Sequence, residues 1–185
     1  MNMKLEEKKL GSKTLYDGKI IRLELDDVEL PNGAAAKREV ARHPAGVAAA
    51  ALTENGELLF VRQYRYPFGE VVLELPAGKI DDPTSTPLEN AKRELLEETG
   101  AVGASWVSLG AQYVSPGFTD EVLHMYMCRV DHFESPNPDE DEFLNVERIP
   151  LEKAVEMVMN NRIPDGKTQT AILKTWLLCG GKFNS

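Results

Sequence analysis

Between Thr86 and Gly100 the chain spells out a helix with both ends marked. Thr86 is a natural N-cap, Pro87 suits the first helical position, and Glu89, three residues after the cap, completes a capping box. Gly100 suits the left-handed residue that stops a helix. Leu88, Ala91 and Leu95 form an apolar stripe, so the pattern predicts a helix of about 13 residues laid on a core. Near its C-terminal end Glu94, Glu97 and Glu98 stand at i, i+3 and i+4, which puts three carboxylates on one face. Like charges at that spacing repel by roughly 0.2–0.5 kcal/mol per pair. Negative charge at a helix C-terminus also opposes the macrodipole. Stability alone would not place them there. A hard cation would, because carboxylate oxygens are the ligands that Mg²⁺ and Mn²⁺ prefer. A merely solvated acidic face leaves the crowding at the wrong helix end unexplained.

The chain before this helix is strand-rich. Ile20 to Leu30 alternates and ends at Pro31-Asn32-Gly33, a hairpin signal, with a return strand over about Ala36 to His43. Gly46 to Leu52 is a run of small apolar residues that suits a strand buried on both faces. Asn55-Gly56 marks a second tight hairpin before Leu58 to Tyr64, and Val71 to Leu75 is a further strand stopped by Pro76. After the helix, strands are expected over Trp106 to Val114 and Val122 to Val130, separated by the irregular loop Ser115 to Glu121. Asp131 to Glu142 is acidic with two prolines, and Leu151 to Asn160 and Lys167 to Leu178 read as closing helices.

A length of 185 residues fits one domain with some decoration. The 42% hydrophobic and 28% charged residues read as soluble and globular. A net charge of −9 argues against a nucleic-acid footprint but not against an anionic substrate, since a bound cation supplies local positive charge. No apolar run approaches the roughly 18–20 residues needed to span a bilayer. Met1 to Lys9 is charged and has no apolar centre, so no secretory signal is expected. Cys128 and Cys179 are read as reduced, buried thiols rather than a disulfide framework, and a cytoplasmic location follows. His43, His124 and His132 are scattered without metal-ligand spacing.

The segment from Gly78 to Gly100 resembles the Nudix box. That family's pattern is a glycine, five residues, a glutamate, seven residues, then Arg-Glu-apolar-any-Glu-Glu-any-Gly, and its second half matches every defined position from Arg93 to Gly100. The first half departs. The spacing from Gly78 to Arg93 is one residue too long, and Thr84 or Ser85, depending on the direction of counting, stands where the first glutamate belongs. Asp81 or Asp82 could take over its role of supporting loop and helix. Val61-Arg62-Gln63-Tyr64-Arg65-Tyr66-Pro67, then Leu73-Glu74-Leu75-Pro76-Ala77-Gly78, looks like the ADP-ribose pyrophosphatase branch. Pro116, sixteen residues after Gly100, falls where that branch carries its characteristic proline, and Asn32-Gly33 with Arg38-Glu39-Val40 resembles its N-terminal region.

The resemblance implies an α+β fold: a Nudix-type α/β/α sandwich with a mixed β-sheet, plus an N-terminal antiparallel β-sheet. Residues 1–44 would be an N-terminal strand region for dimerisation, and 45–185 the hydrolase domain. It implies a homodimer, since strands over Lys19 to Arg42 have no obvious core of their own. The reaction implied is Mg²⁺- or Mn²⁺-dependent hydrolysis of ADP-ribose to AMP and ribose 5-phosphate. Glu94 and Glu98 would be the central metal ligands, with Glu97 adjacent and the Ala77 carbonyl as a further ligand. Gly78 would allow close approach there. Arg93 would orient Glu97. Glu142, or else Glu140, would be the general base.

For substrate, Arg65 would contact phosphate, since a guanidinium pairs bidentately with phosphate oxygens. Arg38 would reach a partner's substrate, Glu74 would accept from adenine or ribose, and Pro116, Gly117 and Phe118 would shape the loop around the terminal ribose. Two other readings compete: a nucleotide-sugar pyrophosphohydrolase acting on a compound such as GDP-mannose, and a non-catalytic nucleotide sensor. The intact glutamate trio weighs against the sensor.

Overall fold

The computed structural model describes residues 4–82, 84–138 and 142–182. The strands are β1 (Lys8–Asp17), β2 (Arg22–Glu29), β3 (Ala35–Arg42), β4 (Gly46–Leu52), β5 (Glu57–Arg65), β6 (Glu70–Glu74), β7 (Ala77–Lys79), β8 (Ala101–Tyr113), β9 (Val122–Phe133) and β10 (Leu144–Pro150). Helix α1 (Pro87–Thr99) lies between β7 and β8, and α2 (Leu151–Met159) and α3 (Gly166–Leu178) close the chain. Two compact units result: Met1–Pro44 with Tyr113–Val122, and Ala45–Gln112 with Leu123–Ser185.

In the first unit β1, β2 and β3 form an antiparallel sheet in that order. The hairpin at Asn32-Gly33 closes because Gly33 takes φ 83° and the Asn32 side chain accepts from the Ala34 N–H. Strand β1 was not expected from the sequence. The buried face of β2 is polar: Glu24 and Asp26 lie there beside Val28. Ion pairs satisfy them, Arg42 to Glu24 at 2.9 Å and Lys9 to Asp26 at 2.9 Å, and the Ser12 hydroxyl donates to Asp26 at 2.5 Å. The loop after β8 joins this unit through Ala41 N–H to the Phe118 carbonyl (2.7 Å) and His43 N–H to Asp120 (3.1 Å).

In the second unit the sheet order is β10-β5-β4-β9-β8, with β6 on β5 and β7 on β4. Strand β4 runs parallel to β9 and antiparallel to β5 and β7, so the sheet is mixed. Every residue of β4 is buried. Its alanines divide by parity: Ala49 and Ala51 pack with Leu59 and with Leu95 of α1, while Ala48 and Ala50 pack with Phe60 and with residues of α2 and α3. Small side chains thus let helices cover both faces, giving an α/β/α sandwich. Leu88 of the expected stripe is only half-buried, and Asn90 is buried instead.

The expected caps of α1 are in place. The Thr86 hydroxyl accepts from the Glu89 N–H, the Glu89 carboxylate accepts from the Thr86 N–H, and Gly100 is left-handed at φ 70°. Thr86→Ala is therefore expected to cost about 1 kcal/mol of stability, read from a urea midpoint at unchanged slope. One expectation is corrected: Cys128 is buried, but Cys179 is exposed at the end of α3. No helix among the described residues is long and apolar enough to cross a membrane.

Candidate active site

Helix α1 is held against β4 by Leu95, which packs with Ala49 and Ala51, and its glutamate face is turned toward the β6–β7 corner. Glu94 and Glu98 are 7% and 2% exposed, far from a solvated acidic face. A Cβ at Gly78 would overlap the Glu94 carboxyl carbon and both its oxygens as they stand, so the glycine lets this carboxyl lie directly against the strand. The Ala77 N–H donates to Glu98 at 3.2 Å. Arg93 donates to Glu97 at 2.6 Å and to Glu94 at 2.6 Å, so it orients two carboxylates rather than one.

Burial pushes Glu94 up to about 7, with Glu97 and Glu142 adding repulsion and Arg93 opposing it. Burial likewise pushes Glu98 up to about 8, reinforced by Glu94 and Glu142 and opposed by the Ala77 N–H and Arg65. Two carboxyls brought together out of water, with one arginine between them and Glu97, form a donor set short of positive charge. Among the described residues no three His, Cys, Asp or Glu side chains already converge on one point. Glu94 and Glu97 are turned to Arg93 and Glu98 to Ala77. A divalent cation would supply the missing charge, and the oxygen-only donors suit a hard one.

Glu142 is half-buried and close enough to raise both Glu94 and Glu98. Glu140 lies outside the described residues. Arg65 gives Nε and Nη2 to Glu74 at 2.6 and 2.9 Å. Glu74, expected to meet adenine or ribose, is 2% exposed, and Arg65 and Lys167 pair with its oxygens. A buried carboxylate needs such partners.

Arg38, Pro116, Gly117 and Phe118 belong to the first unit. There Arg38 pairs with Glu7 at 2.5 Å, and Phe118 is exposed. The two aspartates offered as stand-ins for the missing box glutamate make local contacts. Asp82 accepts from the Thr84 N–H and hydroxyl, and Asp81 pairs with Lys79 at 3.6 Å. Sequence reasoning missed Lys167 and Thr168, whose contacts at the β6–β7 corner are 93 residues away and leave no local signal.

A mixed sheet between helices, with carboxylates of one helix set against the glycine of a short strand, defines an α/β/α protein with a candidate site for a hard cation. The chain belongs to the NUDIX family: the NUDIX domain model matches residues 42–171, and the model of the nucleoside diphosphate sugar hydrolase N-terminal domain matches residues 7–41. Enzymes of this family generally use divalent metal ions. The chain is 41% identical over 170 residues to an ADP-ribose pyrophosphatase of Bacillus subtilis (strain 168), covering 91% of each. It is 38% identical over 177 residues to a methanol dehydrogenase activator of Bacillus methanolicus, covering 93% of this chain and 94% of that one. Its fold matches the crystal structure of an ADP compounds hydrolase at TM-score 0.85 and 22% identity, over 98% of this chain and 100% of the other.

Proposed function

We propose that this protein hydrolyses the diphosphate of ADP-ribose to AMP and ribose 5-phosphate, with Mg²⁺ or Mn²⁺ held by Glu94, Glu97, Glu98 and the Ala77 carbonyl. The observation that carries the metal reading is the pair of buried carboxyls, Glu94 and Glu98, with Glu94 lying directly against Gly78. The substrate reading is supported by the 41% identity to an ADP-ribose pyrophosphatase. When bound, the metal neutralises diphosphate oxygens and lowers the pKa of the attacking water. Arg93 keeps Glu94 and Glu97 aimed. Glu142 takes the proton from water, a role consistent with its repulsion of both buried glutamates. Arg65, fixed by Glu74, presents positive charge to phosphate. Pro116, Gly117 and Phe118 border the terminal ribose, and Arg38 serves a partner's substrate.

A homodimer goes with this reading. Leu10, Leu15, Tyr16, Ile20 and Ile21 stand exposed on the N-terminal unit, and a second copy would cover them. A reducing cytoplasm fits the free thiols of Cys128 and Cys179.

The test is a panel of ADP-ribose, GDP-mannose, UDP-glucose, NADH and diadenosine polyphosphates, each with Mg²⁺ and with EDTA. The highest kcat/KM is expected for ADP-ribose, with release of AMP and ribose 5-phosphate lost in EDTA. Preference for GDP-mannose overturns the substrate and keeps the chemistry. Binding of ADP-ribose without cleavage of any compound overturns the enzyme reading in favour of a sensor.

A further inference from the structure

Four consecutive residues at the β6–β7 corner are each pinned by another part of the second unit. The Glu74 carboxylate is forked by Arg65 and paired with Lys167. The Leu75 N–H donates to the Thr168 hydroxyl at 2.9 Å, a fully buried bond. The Pro76 carbonyl accepts from Ala49 of β4 at 2.9 Å. The Ala77 N–H donates to Glu98. Two of these five anchors, Lys167 and Thr168, come from the first turn of α3. That turn is itself fixed by Asp165, which accepts from the Thr168 N–H at 3.0 Å and from Lys167 at 3.0 Å. The sheet holds the two ends of the corner, Glu74 on β5 and Ala77 on β4, and α3 adds the hold on its Leu75 amide and on the Glu74 side chain. Pro76 has no N–H to give to a ladder, and β7 is only three residues long.

We propose that the first turn of α3 is a clamp for the metal site, in which Thr168 and Lys167 are positioning residues that hold Glu74–Ala77 so that the backbone of Ala77 keeps Glu98 oriented. The proposal rests on the metal reading given above. Its physical basis is distance transmission through a rigid, buried chain: helix turn, strand-end amide, corner, carboxylate. Side chains and amides that orient a ligand from behind typically change metal affinity or activity by about 10–100-fold when removed.

The clean variant is Thr168→Val, which keeps volume and β-branching but removes the acceptor of the Leu75 N–H. Thr168→Ser is the conservative control, since it retains the hydroxyl. The readouts are Mn²⁺ affinity by electron paramagnetic resonance, the melting temperature in EDTA, and kcat and KM separately. Thr168→Val is expected to weaken Mn²⁺ binding about tenfold and lower kcat about tenfold or more, with KM within about twofold. Thr168→Ser is expected to restore both. Lys167→Met, which also keeps its stem packed, should weaken Mn²⁺ in the same way and serves if the valine variant does not fold. If both variants only lower the melting temperature and leave Mn²⁺ affinity and kcat unchanged, the clamp is merely structural and the proposal is overturned. Absence of Mn²⁺ binding in the wild-type protein overturns the metal reading itself, and the clamp with it.

Discussion

Glu98→Gln is expected to lower kcat by about 10³-fold or more, which is ~4 kcal/mol of barrier, while making the metal-free protein more stable at pH 8. The two halves of that result come from the same fact. Glu98 is 2% exposed, and the hydrogen bond seen at its carboxylate is the one accepted from the Ala77 N–H. Glutamine fills the same space and can keep that bond through its carbonyl oxygen. What it removes is a charge that the fold accommodates poorly, as its pKa of about 8 records. An ordinary active-site residue that also supports the fold would lose activity and stability together. A metal ligand waiting for its cation loses activity and gains stability. Stopped-flow or steady-state release of AMP gives the first quantity, and calorimetry in EDTA gives the second. A variant with near wild-type kcat would remove Glu98 from the metal shell. A variant destabilised at pH 8 would mean that the carboxylate is satisfied by partners other than a metal.

The parts of the fold that were legible in the sequence are those whose signal is local. The Thr86–Glu89 box, Gly100 and Asn32-Gly33 each act over a few residues, and each is found as expected. Strand β4 was legible because burial on both faces demands an unbroken apolar run. Strand β1 was hidden by two register shifts, between Lys9 and Gly11 and between Thr14 and Tyr16, which destroy the period of two. Strand β8 starts five residues before its expected beginning at Trp106, through Val102-Gly103-Ala104-Ser105, a stretch with little strand propensity. Gly103 is needed there because a Cβ would run into the Trp106 ring and the Cys128 sulfur. The same division holds at the site. Glu94, Glu97, Glu98, Arg93 and Gly78 announce themselves by spacing. Glu74 looked like an exposed strand residue or a ligand contact, because its partner Lys167 is 93 positions away.

Stability of the metal-free protein is expected to fall as pH rises from about 5 to about 8.5, and saturating Mg²⁺ or Mn²⁺ is expected to reverse most of that fall. Glu94 titrates at about 7 and Glu98 at about 8 in the folded chain, against 4.5 for an ordinary glutamate. Between those values the folded state holds protons that the unfolded state has released, so raising pH favours unfolding. A carboxyl displaced from 4.5 to about 7 accounts for on the order of 3 kcal/mol of stability lost above both values. Groups whose titration is lowered, such as Glu24 through its hydrogen bond from Arg42, lose their contribution only as pH falls below the ordinary carboxylate range, outside this window. His132, raised by its hydrogen bond to Asp131, acts in the same direction as the glutamates near neutral pH, so His132→Asn is the control. The cation binds the ionised carboxylates and competes with their protons, so its stabilisation grows with pH. Calorimetry at pH 5.5, 7 and 8.5, with EDTA and with metal, reads both effects. A melting temperature in EDTA that is flat or rising across this range, with a metal-induced increase no larger at pH 8.5 than at 5.5, would show that Glu94 and Glu98 are already compensated in the empty protein. The spacing of the glutamate trio would then need an explanation other than a cation.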